Sequence, residues 1–397
     1  MNTVYPIHPF PARMAPEIAL EESAQLSPGS VVLDPMAGSG TVIRTASEQR
    51  HRAYGFDTDP LAVLMARVWT SPIDPSALRN AGAEVIAQVK ATHIDTVTLP
   101  WIDADDATRT FVEYWFSEAQ KNDLRKLSYV LHEKNGAVSD ALRIALSRII
   151  ITKDRGASLA RDVSHSRPHR VQKHNDFEVI TEFQRSVHRL AQRLEDQPPP
   201  GGVTVAIGDA RRLDNVAAGF VDAVITSPPY LNAIDYMRGH RLTLVWLGYR
   251  VGALRAIRAE SIGTERMADS NADAALAQDL IAAMGPLDGL PQAQRRMIDR
   301  YVLDLFTMIA EIHRVLRPGG KAIFVIGNSS VRGVFVKNAC AVSAAAERAG
   351  LNLTEQRERE LPPSRRYLPP PAEIDNSMLE KRMRTETVLT FRRPKLA

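Results

Sequence analysis

The sequence predicts an α/β fold in which a mostly parallel sheet carries helices on both faces. Three stretches predict it. Residues 30–33 are an apolar strand pattern that runs through Asp34-Pro35-Met36-Ala37-Gly38-Ser39-Gly40-Thr41 into a helix start. Ala53-Tyr54-Gly55-Phe56-Asp57 is a second strand ending in an acid. Residues 221–225 are a third, and they lead into Thr226-Ser227-Pro228-Pro229-Tyr230. Continuous apolar strands that alternate with helical patterns mark a parallel sheet buried on both faces.

Each element follows in order. A Pro-rich turn precedes a short helix from about Pro16, with proline in its first turn. The glycines after the first strand let a ligand approach the backbone, and the helix N-terminus beyond them favours a carboxylate or phosphate. Asp57 ends the second strand, where a carboxylate can take both hydroxyls of a ribose. After Asp59 a helix carries Leu61, Leu64, Met65 and Val68 on one face and ends at residues 71–75. The strand–helix alternation then stops. Residues 76–91 predict another helix, and 101–131 hold Trp101, Phe111, Tyr114, Trp115, Phe116 and Tyr129, a small helical core.

Residues 143–193 carry eleven Lys and Arg against five acids, with a polar, small and basic centre at 153–170. Such a surplus suits phosphate, and Arg155, Arg161, Arg167 and Arg170 are its candidate nucleic-acid contacts, weighed against a solvated linker. His165, His169, His174 and His188 have no Cys or acid at ligand spacing, so no metal is expected. Residues 177–194 read as an amphipathic helix, and Pro198-Pro199-Pro200-Gly201-Gly202 breaks it. A strand at 203–207 then ends in Gly208-Asp209, and the strand bearing Ser227 follows. Residues 251–300 are a second helical stretch of unremarkable net charge. A helix at 301–316 ends in Arg317-Pro318-Gly319-Gly320, and a strand follows at 321–328. A helix at 336–349 and strands at 351–359 and 387–392 close the chain, with a Pro- and Arg-rich loop at 361–371 between those strands. The core is thus expected at 1–75, 203–250 and 301–397, with helical insertions at 76–202 and 251–300.

Length and composition set bounds. A chain of 397 residues buries a large core as one elaborated domain or two. A net charge of +4 permits a nucleic-acid partner. The single cysteine, Cys340, excludes an internal disulfide and a Cys-based zinc site and fits a reducing cytoplasm. No apolar run approaches membrane-spanning length, and no signal-peptide core is expected at the N-terminus.

Taken together, these residues resemble the S-adenosylmethionine-dependent DNA amino-methyltransferases, in particular the cytosine-N4 branch. Residues 34–41 are similar to that family's cofactor loop, DP-aromatic-AGSGT, with Met36 in place of the usual Phe. Ser227-Pro228-Pro229-Tyr230 is similar to its catalytic SPPY. His8-Pro9-Phe10-Pro11-Ala12-Arg13-Met14 resembles an N-terminal cofactor segment found in some members. The resemblance covers about half of the chain and leaves both insertions aside. It implies a class I, Rossmann-like methyltransferase sheet and S-adenosylmethionine as cofactor. It implies cofactor contacts from Phe10, Asp34, Ala37, Gly38, Ser39, Gly40, Thr41 and Asp57, with Asp209 meeting the adenine amino group. It also implies double-stranded DNA as substrate and a cognate restriction nuclease as a candidate partner.

The chemistry fits those residues. An exocyclic amine is a poor nucleophile because its lone pair is conjugated into the ring. Acceptors on its hydrogens draw that lone pair out, and the Ser227 hydroxyl and Pro228 carbonyl are placed to accept. Tyr230 offers a ring for the base to stack on. Two alternatives stay open: adenine N6, and an RNA amine. Those branches favour Asp or Asn where this chain has Ser227. Methylation at cytosine C5 needs a cysteine nucleophile after a proline. Cys340 follows Ala339 in a helical pattern and is read as a buried structural residue.

Overall fold

A computed structural model describes residues 5–10, 13–152, 155–161, 168–171, 174–231, 235–263, 274–331, 334–361 and 385–395. The central sheet has strands β1 (Val31–Asp34), β2 (Arg52–Asp57), β3 (Val203–Ile207), β4 (Val221–Thr226), β5 (Leu316–Gly327), β6 (Asn352–Glu360) and β7 (Thr385–Arg392). Their order across it is β6-β7-β5-β4-β1-β2-β3. Strands β1 to β5 pair in parallel, and β7 runs antiparallel to both β5 and β6. The chain winds away from β1 in both directions. The crevice between the carboxyl ends of β1 and β4 is therefore the switch point, where such sheets bind ligands. This is the Rossmann-like, mostly parallel sheet with helices on both faces expected from the sequence.

Period-two alternation sorts the strand side chains onto two faces. Val31 and Leu33 of β1 and Ala322, Phe324 and Ile326 of β5 pack with helices Gln292–Val315 and Asn338–Arg348. Val32, Ile323 and Val325 pack on the other face with helices Pro16–Ala24 and Thr41–Glu48.

A third core is helical. Helices Pro75–Ala91, Glu118–His132, Ala137–Ile150 and Val179–Asp196 build it, and Leu61, Met65 and Trp69 of helix Pro60–Thr70 join it. The sequence predicts one apolar face for helix Pro60–Thr70. The structure buries nearly all of it, because it is wedged between sheet and insertion. The second helical stretch divides between the cores. Val251 and Leu254 of helix Val251–Glu260 join the helical core, whereas Ala277 and Leu280 of helix Ala274–Ala283 join the sheet.

The first insertion leaves and rejoins the sheet at one neck. Arg44, 1% exposed, donates to the carbonyls of Trp69 (2.7 Å), Gln197 (3.1 Å) and Pro198 (3.2 Å) and pairs with Glu48 at 2.6 Å. Ser47 donates to the carbonyl of Gly201 at 2.5 Å. No helix among the described residues is long and apolar enough to cross a membrane.

Candidate active site

The glycine loop after β1 folds against the end of β2. The Ala37 N–H donates to the Phe56 carbonyl at 2.8 Å, and the Gly38 N–H donates to Asp57 Oδ2 at 2.8 Å. Asp57 Oδ1 accepts from the Asp59 N–H at 2.9 Å. Gly40 caps the following helix at φ 93°, and a Cβ there would lie 3.0 Å from the Ala66 backbone, so only glycine serves. A Cβ on Gly38 would lie 3.0 Å from the Phe10 ring. Phe10 thus sits directly on the loop.

Two carboxylates lie at the bottom of the crevice. Asp34 Oδ1 accepts from the Thr226 hydroxyl (2.7 Å) and the Met36 N–H (3.1 Å), which ties β1 to β4. Burial pushes the Asp34 carboxyl up to about 7. Burial, with Asp59 as a neighbouring negative charge, pushes Asp57 up to about 6.

Sequence reasoning missed the partner of Asp59. Asp59 caps helix Pro60–Thr70 through the Leu61 and Ala62 N–H groups. Its other oxygen meets His240 Nδ1 at 2.5 Å. Burial opposes ionisation of Asp59, but His240 and the helix N–H groups outweigh it and hold the carboxyl below its ordinary value. The His240 ring lies 5.7 Å from Phe10, and Tyr236 lies 4.9 Å from Phe10. Helix Met237–Leu244 is thereby tied to the start of helix Pro60–Thr70 and to Phe10. The one signal for this was the Asp59-Pro60 helix start, which shows a cap and not its second partner.

Ser227 stands at the end of β4, partly exposed, beside the buried Pro228. Its hydroxyl donates to the Val325 carbonyl of β5 at 2.9 Å. The proton is committed there, and the oxygen lone pairs are left as acceptors. Pro229 and Tyr230 are partly exposed, and the Tyr230 hydroxyl lies 3.5 Å from Glu386 Oε1. Ser329, held by Asn338, donates to the Leu231 carbonyl at 2.7 Å and fixes the backbone beyond Tyr230.

Asp209 lies just past β3, and its carboxylate is gripped in a bidentate pair by Arg211 at 3.0 and 2.6 Å. Arg211 also donates to Asp304 at 2.7 Å. Any contact from Asp209 to an adenine amino group shares that charge with Arg211, a partner the sequence reading did not name.

The arginines predicted to meet nucleic acid are not gathered in the crevice. Arg155 pairs with Asp176 at 3.3 Å on the surface of the insertion. Arg161 and Arg170 lie on two facing short strands, Ala160–Arg161 and His169–Arg170, and the Arg170 guanidinium lies 4.9 Å from the centre of the Tyr114 ring. Arg167 lies outside the described residues. Part of the basic surplus is structural. Arg143 bonds to Asp140 and to the Leu131 carbonyl, and Arg148 to the Ile7 carbonyl.

Cys340 corrects the sequence reading: it is exposed. Helix Asn338–Arg348 buries Ala341, Val342, Ala345 and Ala346, and position 340 falls outside that face.

No family model matches the chain. The chain is 22% identical to the Type II methyltransferase M.MvaI of Kocuria varians over 362 residues, spanning 82% of this chain and 77% of that protein. It is likewise 22% identical to the Type II methyltransferase M.BsoBI of Geobacillus stearothermophilus over 365 residues, spanning 79% of this chain and 71% of that protein. Among solved structures, a TehB-like SAM-dependent methyltransferase from Corynebacterium glutamicum aligns over 96% of this chain and 89% of its own. Its 11% identity and TM-score of 0.31 are too low to bear on the site. The chain is therefore similar, at 22% identity, to two Type II methyltransferases along most of its own length and of theirs.

Proposed function

We propose that the chain transfers a methyl group from S-adenosylmethionine to the exocyclic N4 amine of a cytosine flipped out of duplex DNA. The observation that carries this reading is the Ser227 hydroxyl. Its proton is held by the Val325 carbonyl, so the oxygen can only accept, at the mouth of the crevice opened by β1 and β4.

The crevice fits the cofactor. Ser39 Oγ and Thr41 Oγ1 are buried beside the glycine loop without a hydrogen-bond partner among the described residues. They lie at the start of helix Thr41–Glu48, which favours a carboxylate. Asp34 has both bonds on one oxygen, and a cationic amino group suits the other. In this reading Phe10, Ala37, Gly38 and Gly40 shape the loop around the ligand, Asp57 takes the ribose, and Asp209 meets the adenine. S-adenosylmethionine supplies an electrophilic sulfonium methyl when bound.

The rest is work for this chain's own residues. Ser227 and the Pro228 carbonyl accept the two amine hydrogens and draw the lone pair from the ring, while Pro229 stiffens the loop. Tyr230 stacks on the base. Extrusion of the base costs a few kcal/mol. Contacts from Arg155, Arg161, Arg167 and Arg170 to the phosphates offset part of that.

The test is to digest DNA from cells expressing the protein and identify the modified nucleoside by mass spectrometry. N4-methylcytosine is expected. N6-methyladenine alone would overturn the choice of base, and unmodified DNA would overturn the activity.

A further inference from the structure

We propose that an arginine strip crossing the insertion, from Arg170 to Arg258, is the track on which the phosphate backbone of duplex DNA lies while the target base enters the crevice. The proposal rests on the methylation reading above and assigns the docking surface that this reading needs.

The strip begins on the helix that follows the Ser227–Tyr230 loop. In helix Met237–Leu244, His240 faces Asp59 and Phe10. The next residue, Arg241, is turned by about 100° and leaves the crevice. Its guanidinium lies 5.1 Å from the centre of the Phe111 ring. One short helix therefore meets Asp59 and Phe10 on one side and carries a cation on the other.

Charge accumulates around Arg241 with little to balance it. Arg238, Arg255 and Arg258 surround it, and Asp235 is the acid that faces it. Asp235 Oδ2 is already shared between Arg238 Nε (2.9 Å) and Arg258 Nε (2.5 Å). Arg241 is partly buried, and its Nε makes no hydrogen bond among the described residues. Burial and the neighbouring guanidiniums hold the Arg241 pKa below its ordinary value. Asp105 faces Arg250 and Arg255 from the far end of the cluster and offsets only part of it.

The strip continues across an aromatic platform. Phe111 and Tyr114 are three residues apart on helix Asp106–Trp115 and so share a face. Arg241 covers the first ring and Arg170 the second, at 5.1 and 4.9 Å. The basic loop singled out in the sequence thereby joins the cluster beside the catalytic loop. Crowded, only partly neutralised guanidiniums repel one another in the free protein. Duplex DNA, with one negative charge per ~1.7 Å of axis, relieves that repulsion.

The experiment follows binding of the full chain to a fluorescent duplex by anisotropy over a range of salt concentrations. Arg255→Gln with Arg258→Gln is expected to lower the salt slope by about two units and affinity roughly tenfold per arginine at about 0.1 M salt. The Lys pair at the same positions is expected to keep the slope. Arg255 is exposed, so Arg255→Gln alone, with a loss of about one unit, decides the matter if the double variant does not fold. An unchanged slope and affinity against a binding wild type would overturn the strip and leave methylation standing. A wild type without affinity for duplex at low salt would overturn both.

Discussion

The crevice at β1 and β4 and the arginine strip on the insertion handle charge in opposite ways. In the crevice, the buried Asp34 and the partly exposed Asp57 are answered by backbone N–H groups and a threonine hydroxyl. Their carboxyls are pushed up to about 7 and about 6. On the strip, guanidiniums crowd around one shared carboxylate. A crevice with neutralisable acids suits a small ligand that brings a positive charge. A cationic surface only partly compensated by Asp235 and Asp105 suits a long polyanion.

Ser227 lies at the end of β4, at the mouth of the crevice, and its removal is the sharpest test. Ser227→Ala is expected to lower turnover about 100-fold, in the range of one lost preorganised hydrogen bond to the transition state, with cofactor affinity unchanged. The loss should stop short of abolition, because the Pro228 carbonyl is backbone and survives the change. Single-turnover methyl transfer beside calorimetry of cofactor binding checks this, and full activity would remove the role given to the hydroxyl.

Next in size is Asp57→Ala. It leaves the Gly38 and Asp59 N–H groups unanswered and takes charged hydrogen bonds from the ribose. A cost of roughly 1.5–3 kcal/mol, or about ten- to hundredfold in cofactor affinity, is expected by calorimetry. Unchanged affinity would place the ribose elsewhere.

Asp34 gives a pH dependence with a definite sign. Its folded carboxyl titrates at about 7, above an unfolded aspartate, so the fold keeps a proton that the unfolded chain has lost. The stability of the free protein therefore falls as pH rises from about 4 to about 7. A cationic ligand prefers the ionised form, so cofactor affinity should rise with pH by up to about tenfold per unit and level off above about 7. Asp34→Asn should flatten the profile. A wild-type affinity flat across that window would mean that Asp34 does not face the ligand's charge.

Smaller effects belong to the distal loop. Replacing Arg161, Arg167 and Arg170 by Ala should weaken duplex binding and flatten its salt slope by about one unit for each phosphate no longer neutralised. A slope matching the wild type would make that loop a linker. Cys340→Ser should change neither turnover nor DNA binding, and a thiol reagent should label the folded wild type at its exposed sulfur. A drop in activity would place Cys340 in the chemistry after all.

The two regions were also unequally legible in the sequence. The glycine loop is eight consecutive residues, and its strand, turn and cap are local properties, so motif and geometry coincide. The strip draws on Phe111, Tyr114, Arg170, Arg241, Arg255 and Arg258, which only the fold brings together. Averaging charge over residues 251–300 hid it, because acids further along cancel the arginines of helix Val251–Glu260. The Asp59–His240 pair spans 181 residues and has no local signal. Cys340 was readable. The apolar pattern of Ala341, Val342, Ala345 and Ala346 already sets the buried face, and the usual burial of cysteine was the wrong guide.

The neck at Arg44 has a consequence for how such chains diversify. One guanidinium gathers the carbonyls of Trp69, Gln197 and Pro198, so everything between them is closed off at a single buried staple. The entropy of closing a span grows only with the logarithm of its length, by about 0.6 kcal/mol for each doubling. Residues can be added, removed or exchanged beyond the staple without moving a strand of the sheet. The surface of the insertion, with Arg170 and the Phe111 and Tyr114 rings, can thus be traded for another while the crevice behind it stays as it is.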